Sequence, residues 1–360
     1  MSSCRARSAF ACLFACAALA AGCGGGSDSS TSASGTAASR PAPPKSNFPK
    51  AEGRTLGEIV KAADSHAELV VSPAALAFYK GTNRYPFGVF HPDRSQVDDA
   101  EVALYVAKVP QAKADGGGAT TDGTEKKGAV ARARTEALEE PAMGPYPAAI
   151  ESLATKPAFR AQTTASDPDA ASIVYTTNID FPSDGEWRVA ALIRQGSEIA
   201  ATLLPSATVG EFKGVPRVGQ KAPKIHTPTP ADVGGDLSKI TTRIPPDTQN
   251  RVDYADALGK EPIFLLFATP QFCQSRVCGP VVDVAEQVKE ETGADAAFIH
   301  MEIYNDNDPS KGVRPQVRAF HLPSEPWLFA INRQGVIREV IEGAFGVDRM
   351  NKVVEEVAGE

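Results

Sequence analysis

The placement of six cysteines narrows what this chain can be. Cys4, Cys12, Cys16 and Cys23 fall near the N-terminus, and no other occurs until Cys273 and Cys278. The N-terminal run accounts for the first group. Arg5 and Arg7 make a short basic region, Ala9 to Ala21 is apolar, and small residues lead to Cys23. That is the layout of an export signal, which is removed. With residues 1–22 gone, the chain keeps one close pair of thiols beyond Cys23. In an oxidising compartment a lone close pair reads as redox chemistry rather than as a stapled scaffold. A bond closing so short a loop stabilises little, because the entropy it removes from the unfolded chain grows with loop length.

The string Leu19-Ala20-Ala21-Gly22-Cys23 resembles the lipobox of bacterial lipoproteins, with Ala20 where Leu is commoner. The resemblance implies that Cys23 is acylated and becomes the new N-terminus, anchoring an extracytoplasmic protein to the membrane. Residues 23–53 are Gly/Ser/Thr/Ala-rich, then Pro-rich, with few large apolar side chains, which predicts a disordered tether. No later run of ~18 apolar residues predicts a membrane span. Lys+Arg 37 against Asp+Glu 44 gives a net charge of −7, with no basic surplus to bind nucleic acid.

Residues 54–213 read as a β-sandwich domain. Strand-like stretches such as 100–109 (AEVALYVAKV), 171–179, 186–193 and 198–204 alternate between turn residues. Trp187 followed by Val189, Ala191 and Ile193 resembles a strand of the immunoglobulin or fibronectin type. Residues 111–143, with Gly116-Gly117-Gly118 and mixed charge, interrupt the pattern and predict a mobile loop. His66 and His91 are isolated, so this part reads as an interaction or spacer module.

A Pro/Gly-rich stretch at 214–230 marks the expected boundary, and residues 214–360 alternate β and α signals. The continuous apolar run 263–268 (IFLLFA) predicts a strand buried on both faces. Helical spacing follows from Pro280 to a Gly293 stop. Then come strands at 297–304 and 327–332, a turn at Arg333-Gln334-Gly335, and a last amphipathic helix carrying Met350, Val353, Val354 and Val357 on one face. Strand, helix, strand, hairpin, helix is the order of an α/β thioredoxin-like domain.

Three segments carry a family resemblance. Val218 to Pro223 (VGQKAP), Tyr254 to Pro270 (YADALGKEPIFLLFATP) and Ser324-Glu325-Pro326 with WLFAINRQG resemble the redoxin superfamily, which includes peroxiredoxins and TlpA-type proteins. The resemblance implies a cis Pro326 beside the cysteines, where a substrate backbone pairs with the residue before it, here Glu325. Cys273 is then the attacking sulfur, Cys278 the resolving one, and the partners are protein thiols, disulfides or an envelope redox protein. The chain departs from thioredoxins in having four residues between the cysteines, Phe272 before the first, and Leu266 in place of a buried acid.

Physical reasoning places Cys273 at a helix N-terminus, where unpaired N–H groups and the helix dipole favour thiolate. Arg276 adds positive charge, and no acid lies between Glu261 and Asp283 to oppose it. Within a regular helix five residues set two thiols ~140° apart. A bond between them therefore requires Cys273 to lie outside the helix, or its first turn to unwind. Thr269-Pro270 and Cys278-Gly279-Pro280 favour such a break.

Two other activities fit parts of the pattern. The spacing and Thr269-Pro270 are similar to one branch of peroxiredoxins, which implies a thiol peroxidase. Sco-type copper chaperones bind metal with two Cys and one His, and His226, His300, His321 or Met301 would have to complete such a set. A non-catalytic partner-binding module is the remaining alternative. No cofactor or metal is expected, since no phosphate-binding Gly-rich loop and no Gly-x-Ser-x-Gly occur.

Overall fold

Residues 65–108 and 143–209 supply nine of the described strands, which form two sheets around a shared core. The computed structural model describes residues 38–111, 123–273 and 275–360, so Cys23 and the lipobox lie outside the described residues. Its strands are β1 (Ser65–His66), β2 (Val70–Pro73), β3 (Gly81–Phe90), β4 (Glu101–Lys108), β5 (Met143–Pro147), β6 (Ala149–Ser152), β7 (Ile173–Phe181), β8 (Gly185–Gln195) and β9 (Glu198–Val209). They form a five-stranded sheet, β1-β9-β8-β4-β5, and a four-stranded sheet, β2-β3-β7-β6. Tyr85, Phe87, Tyr175 and Phe181 from one sheet and Val102, Leu104, Trp187 and Val189 from the other share a single buried cluster. Trp187 packs on Phe181 with ring centroids 5.5 Å apart, and its Nε1–H donates to the Ser183 carbonyl.

Strand β4 is buried on both faces rather than one. The second face is covered by residues expected to lie in the tether or just after it. Phe48 and Ala51, together with Leu56 and Ile59 of α1 (Leu56–Lys61), pack on Ala103, Tyr105 and Ala107. Thr55 caps α1 through the Glu58 N–H while Glu58 reaches back to the Thr55 N–H. The expected tether therefore ends earlier than residue 53. From residue 38 it is part of the fold, with Arg40 bridged to Ile150, Phe48 and Ala51 buried, and the Asn47 and Pro49 carbonyls accepting from Arg194 and Tyr105. The expected mobile loop at 111–143 is likewise corrected over its second part. Residues 123–136 form α2 (Gly123–Glu136) and 143–147 form β5, while 112–122 lie outside the described residues.

The C-terminal half follows the predicted order. The strands are β10 (Ile263–Phe267), β11 (Ala297–Met301), β12 (Trp327–Ile331) and β13 (Ile337–Glu342), arranged β11-β10-β12-β13, with β10 parallel to β11 and antiparallel to β12. Its helices are α4 (Tyr254–Ala257), α5 (Cys278–Thr292), α6 (Pro315–Ala319) and α7 (Val347–Ala358), while α3 (Gln162–Ala165) belongs to the sandwich half. Strands β10, β11 and β12 are buried throughout. Helices α5 and α7 cover one face of this sheet, and α4 and α6 contribute to the core on the other. Gly293, at φ 54°, stops α5 in the left-handed conformation that favours glycine.

The expected boundary at residue 214 is not a boundary in packing. Residues from 38 onward belong to one compact unit. Leu153, Ala171 and Val174 of the sandwich half sit in the same cluster as Val281, Phe345 and Met350. A Cβ on Gly346 would come within 2.3 Å of the Ser152 carbonyl oxygen, which shows how closely the two halves meet.

Candidate redox site

Strand β10 ends at Phe267, and Thr269-Pro270 turn the chain away from helical geometry before α5 begins at Cys278. Cys273 is therefore in the loop and Cys278 is the first residue of the helix. The two are joined by a disulfide, with Cα atoms 5.8 Å apart. Cys278 is completely buried, whereas Cys273 is half-buried. The Cys278 backbone N–H donates to Cys273 Sγ at 3.1 Å, one of the N–H groups that a helix N-terminus leaves unpaired. Such a bond favours negative charge on that sulfur.

The peptide between Glu325 and Pro326 is cis. Ser275 connects it to the cysteines. Its Oγ lies 3.3 Å from Cys273 Sγ and donates to the Glu325 carbonyl at 3.2 Å. Nothing in the sequence singled out Ser275, because a serine in a loop carries no signal of its own.

Arg276 behaves differently from the expectation. Its Nη1 is 3.5 Å from Asp169 Oδ1, and its guanidinium lies over the Phe90 ring. The acid that opposes it comes from the sandwich half, where sequence distance hid it. The positive charge beside Cys273 is thus shared with a carboxylate, and the N–H of Cys278 remains the more direct stabiliser of that sulfur.

A second departure concerns the buried acid. Leu266 does fill the strand position, but two acids come in from the side, Asp247 on residues 240–250 and Glu302 just after β11. Asp247 is 2.9 Å from His300 Nδ1 and accepts from Thr241 Oγ1 and the Gln249 N–H. Both side chains of the His300–Asp247 pair are fully buried. Burial works against the imidazolium, yet the Asp247 carboxylate overrides it and holds His300 up at about 9. His300 Nε2 faces the Ala268 carbonyl at 3.1 Å. Glu302, also buried, accepts from both the N–H and the Oγ1 of Thr242. Thr242 in turn accepts from the Gln271 N–H in the cysteine loop.

These contacts also place the other histidines. His226 pairs with Asp253, and His321 lies against Gly214. Among the described residues no group of three His, Cys, Asp or Glu is arranged to hold a metal ion. Thr269 is buried, and its hydroxyl meets no hydrogen-bond partner among the described residues, neither sulfur included.

One cleft opens at Cys273 and a second beside it, at Ser275 and Val277. Cys273, Gln271 and Arg276 form one side of a polar cleft of about 670 Å³, and Arg94, Gln162 and Asp169 of the sandwich half form the other. A cleft of about 380 Å³ lies between Ser275, Val277 and Glu325 on one side and Leu76, Phe90 and Gln96 on the other. The sandwich half therefore walls both approaches. At Gly279 the closeness is decisive, because a Cβ there would stand 2.9 Å from Thr164 Oγ1 of α3.

Glu342 ties the cis-proline loop to the sandwich. It accepts from the Leu76 and Ala77 N–H groups and from Ser324 Oγ, which accepts from Trp327 Nε1. Burial pushes its carboxyl up to about 7, against the pull of those donors. A carboxyl raised on folding contributes stability that is complete below its unfolded value and lost as pH rises through about 7. Glu342→Gln, which keeps only one of the two oxygens that accept these N–H groups, should cost about 1 kcal/mol near pH 5. Between there and pH 8 it should gain up to roughly 2 kcal/mol relative to the parent, allowing for partial exposure. Thermal unfolding of both proteins at the two pH values checks this.

No protein-family model matches the chain, and no curated protein matches it. Among solved structures, a thioredoxin-family thiol:disulfide interchange protein from Chlorobium tepidum TLS is similar over 40% of this chain and 98% of its own, at 17% identity and a TM-score of 0.28. A DUF4784 family protein from Bacteroides caccae ATCC 43185 is similar over 40% of this chain and 24% of its own, at 12% identity and a TM-score of 0.19. Likenesses this distant carry no functional argument, so function rests on the residues of this chain.

Proposed function

We propose that this chain is a membrane-anchored, extracytoplasmic thiol–disulfide oxidoreductase built on a thioredoxin-like half. One observation carries the proposal: a disulfide with a half-buried sulfur facing a cleft and its partner buried at the first residue of a helix, linked through Ser275 to a cis-proline loop. A bond serving only to staple the fold needs neither that asymmetry nor the cleft.

In the reducing direction, a thiolate of a donor dithiol attacks Cys273 Sγ, and the Cys273–Cys278 bond breaks. Cys278 leaves as a thiolate and takes a proton. The second donor thiol, losing its proton, then attacks the mixed disulfide, releasing Cys273. The donor leaves as a disulfide and two electrons have passed to the pair. Cys273 thiolate can carry them onward by the reverse steps to a protein disulfide. The partners are protein thiols or disulfides, or an envelope redox protein. Lipidated Cys23 is the proposed anchor, and the sandwich, immunoglobulin- or fibronectin-like in lineage, is the proposed wall of the substrate cleft.

The test is equilibration of purified protein in dithiothreitol redox buffers, with alkylation of free thiols read by mass. The expected result is one reversible two-electron transition in folded protein. A bond that stays closed until the protein unfolds would sink the proposal. Labelling with a fatty-acid analogue, lost in Cys23→Ala, tests the anchor separately.

A further inference from the structure

When the disulfide opens, Cys278 is left as a sulfur with no exposed surface. A buried thiolate is costly unless a positive charge accompanies it. The nearest candidates from the sequence are unsuitable: Arg276 pairs with Asp169, and Arg243 pairs with Asp283 at 2.8 Å.

Strand geometry supplies another. His300 is the register partner of Leu266 across β10 and β11. Side chains alternate along a strand, so His300 shares the face of Phe298 and Leu266. That face packs on Cys278, Val281 and Val282 of α5. The His300 ring is anchored to Ala268, a member of the same cluster as Cys278, and the Asp247 segment is fastened to α5 through Gln249 Nε2 and the Val282 carbonyl. A fully buried ion pair thus stands on the core side of the redox helix, where an apolar pair would otherwise serve.

We propose that the His300–Asp247 pair is the charge partner of Cys278, favouring its thiolate as the disulfide opens. This rests on the oxidoreductase reading and assigns a positioning role, since both ring nitrogens are engaged elsewhere and His300 bonds neither sulfur. Other groups face the same core. Glu302 on the chain after β11 is bonded to Thr242. On α5, Asp283 is held by Arg243, and Glu286 accepts from the Thr248 N–H. Arg276 with Asp169, and Glu325, lie on the loop side. The acids among them, Asp247 included, oppose the thiolate, and the imidazolium is the end of the pair anchored to Ala268 in the cluster of Cys278, so its loss is the part of a neutral swap that weakens the Cys278 acid.

The test compares the parent with the His300→Gln/Asp247→Asn double variant, a neutral pair that retains hydrogen bonds. The readout is the midpoint potential of the disulfide as a function of pH. Cys273, the stronger acid, ionises first and halves its slope, and the ionisation of Cys278 is the second break, above which the slope vanishes. The double variant should move that break upward by about one unit or more, a tenfold weaker acid. A folded variant with an unmoved break overturns the inference.

A measurement on the parent decides the matter if the variant does not fold. Coupling between two sites is reciprocal, so the His300 ring, followed by NMR, should titrate at higher pH in the reduced than in the oxidised protein. Identical titrations in the two states overturn the inference. A pair that cannot be reduced at all overturns the oxidoreductase reading instead.

Discussion

Cys273→Ser should lower disulfide exchange with a reduced or oxidised peptide by more than about 10⁴-fold, the scale of loss when a covalent nucleophile is removed. Cys278→Ser should lose turnover as well, but by a different route. Its half-buried Cys273 still attacks, and with no resolving thiol the substrate stays attached as a mixed disulfide. Incubation with a disulfide-bonded peptide, whose second sulfur leaves as a thiol, followed by non-reducing mass measurement, separates the two. The adduct should accumulate in Cys278→Ser and be absent from Cys273→Ser. Equal adducts in both variants would mean that the sulfurs do not have the unequal roles their burial suggests. The Cys278 N–H bond to Cys273 Sγ predicts further that Cys273 reacts with iodoacetamide well below the pH at which an ordinary thiol does.

The largest effect on stability is expected at Arg243. Its Nε donates to Asp283 Oδ1, and its two terminal nitrogens donate to the Pro245 and Phe159 carbonyls. Asp283 Oδ2 meanwhile accepts from the Ala161 N–H. One guanidinium therefore fastens three segments, 159–161, 243–245 and α5, behind the cysteines. Arg243→Ala leaves Asp283 buried without its cation, at a cost of about 3–5 kcal/mol. In a chain of this size that should lower the melting temperature by roughly 5–15 °C. Replacing both partners with Leu should cost much less, because neither charge is then stranded. Differential scanning calorimetry on the three proteins checks the ordering. If the single and double variants melt together, the pair contributes little.

The parts of this fold legible in the sequence are those governed by local pattern. IFLLFA and WLFAIN announce doubly covered strands because nothing polar interrupts them, and the Met350-Val353-Val354-Val357 stripe announces a helix laid on a sheet. The two cysteines stood out because the sequence holds no others beyond Cys23. What the sequence concealed was pairing over distance. Thr241 to Asn250 (TTRIPPDTQN) looks like solvent-facing loop, since its residues are polar and its prolines break helices. Yet Thr241, Asp247, Gln249 and Asn250 are buried, Thr241 bonded to Asp247, and Asp247, Gln249 and Asn250 each bonded to a partner elsewhere in the fold. Asp169 opposing Arg276, and Thr164 against Gly279, were hidden for the same reason. No periodicity links residues that meet only when two halves close.

That closure bears on how the chain can be made. Leu153, Ala171 and Val174 share a cluster with α5 and α7, both of which are synthesised after the sandwich. Until then the sandwich presents an uncovered apolar strip, the kind of surface on which partly made chains aggregate. A fragment stopping before α5 should therefore be sticky rather than merely shorter, and an α5-to-α7 fragment should be sticky on the complementary side. The two halves are better regarded as one cooperative folding unit than as modules to be cut apart and recombined.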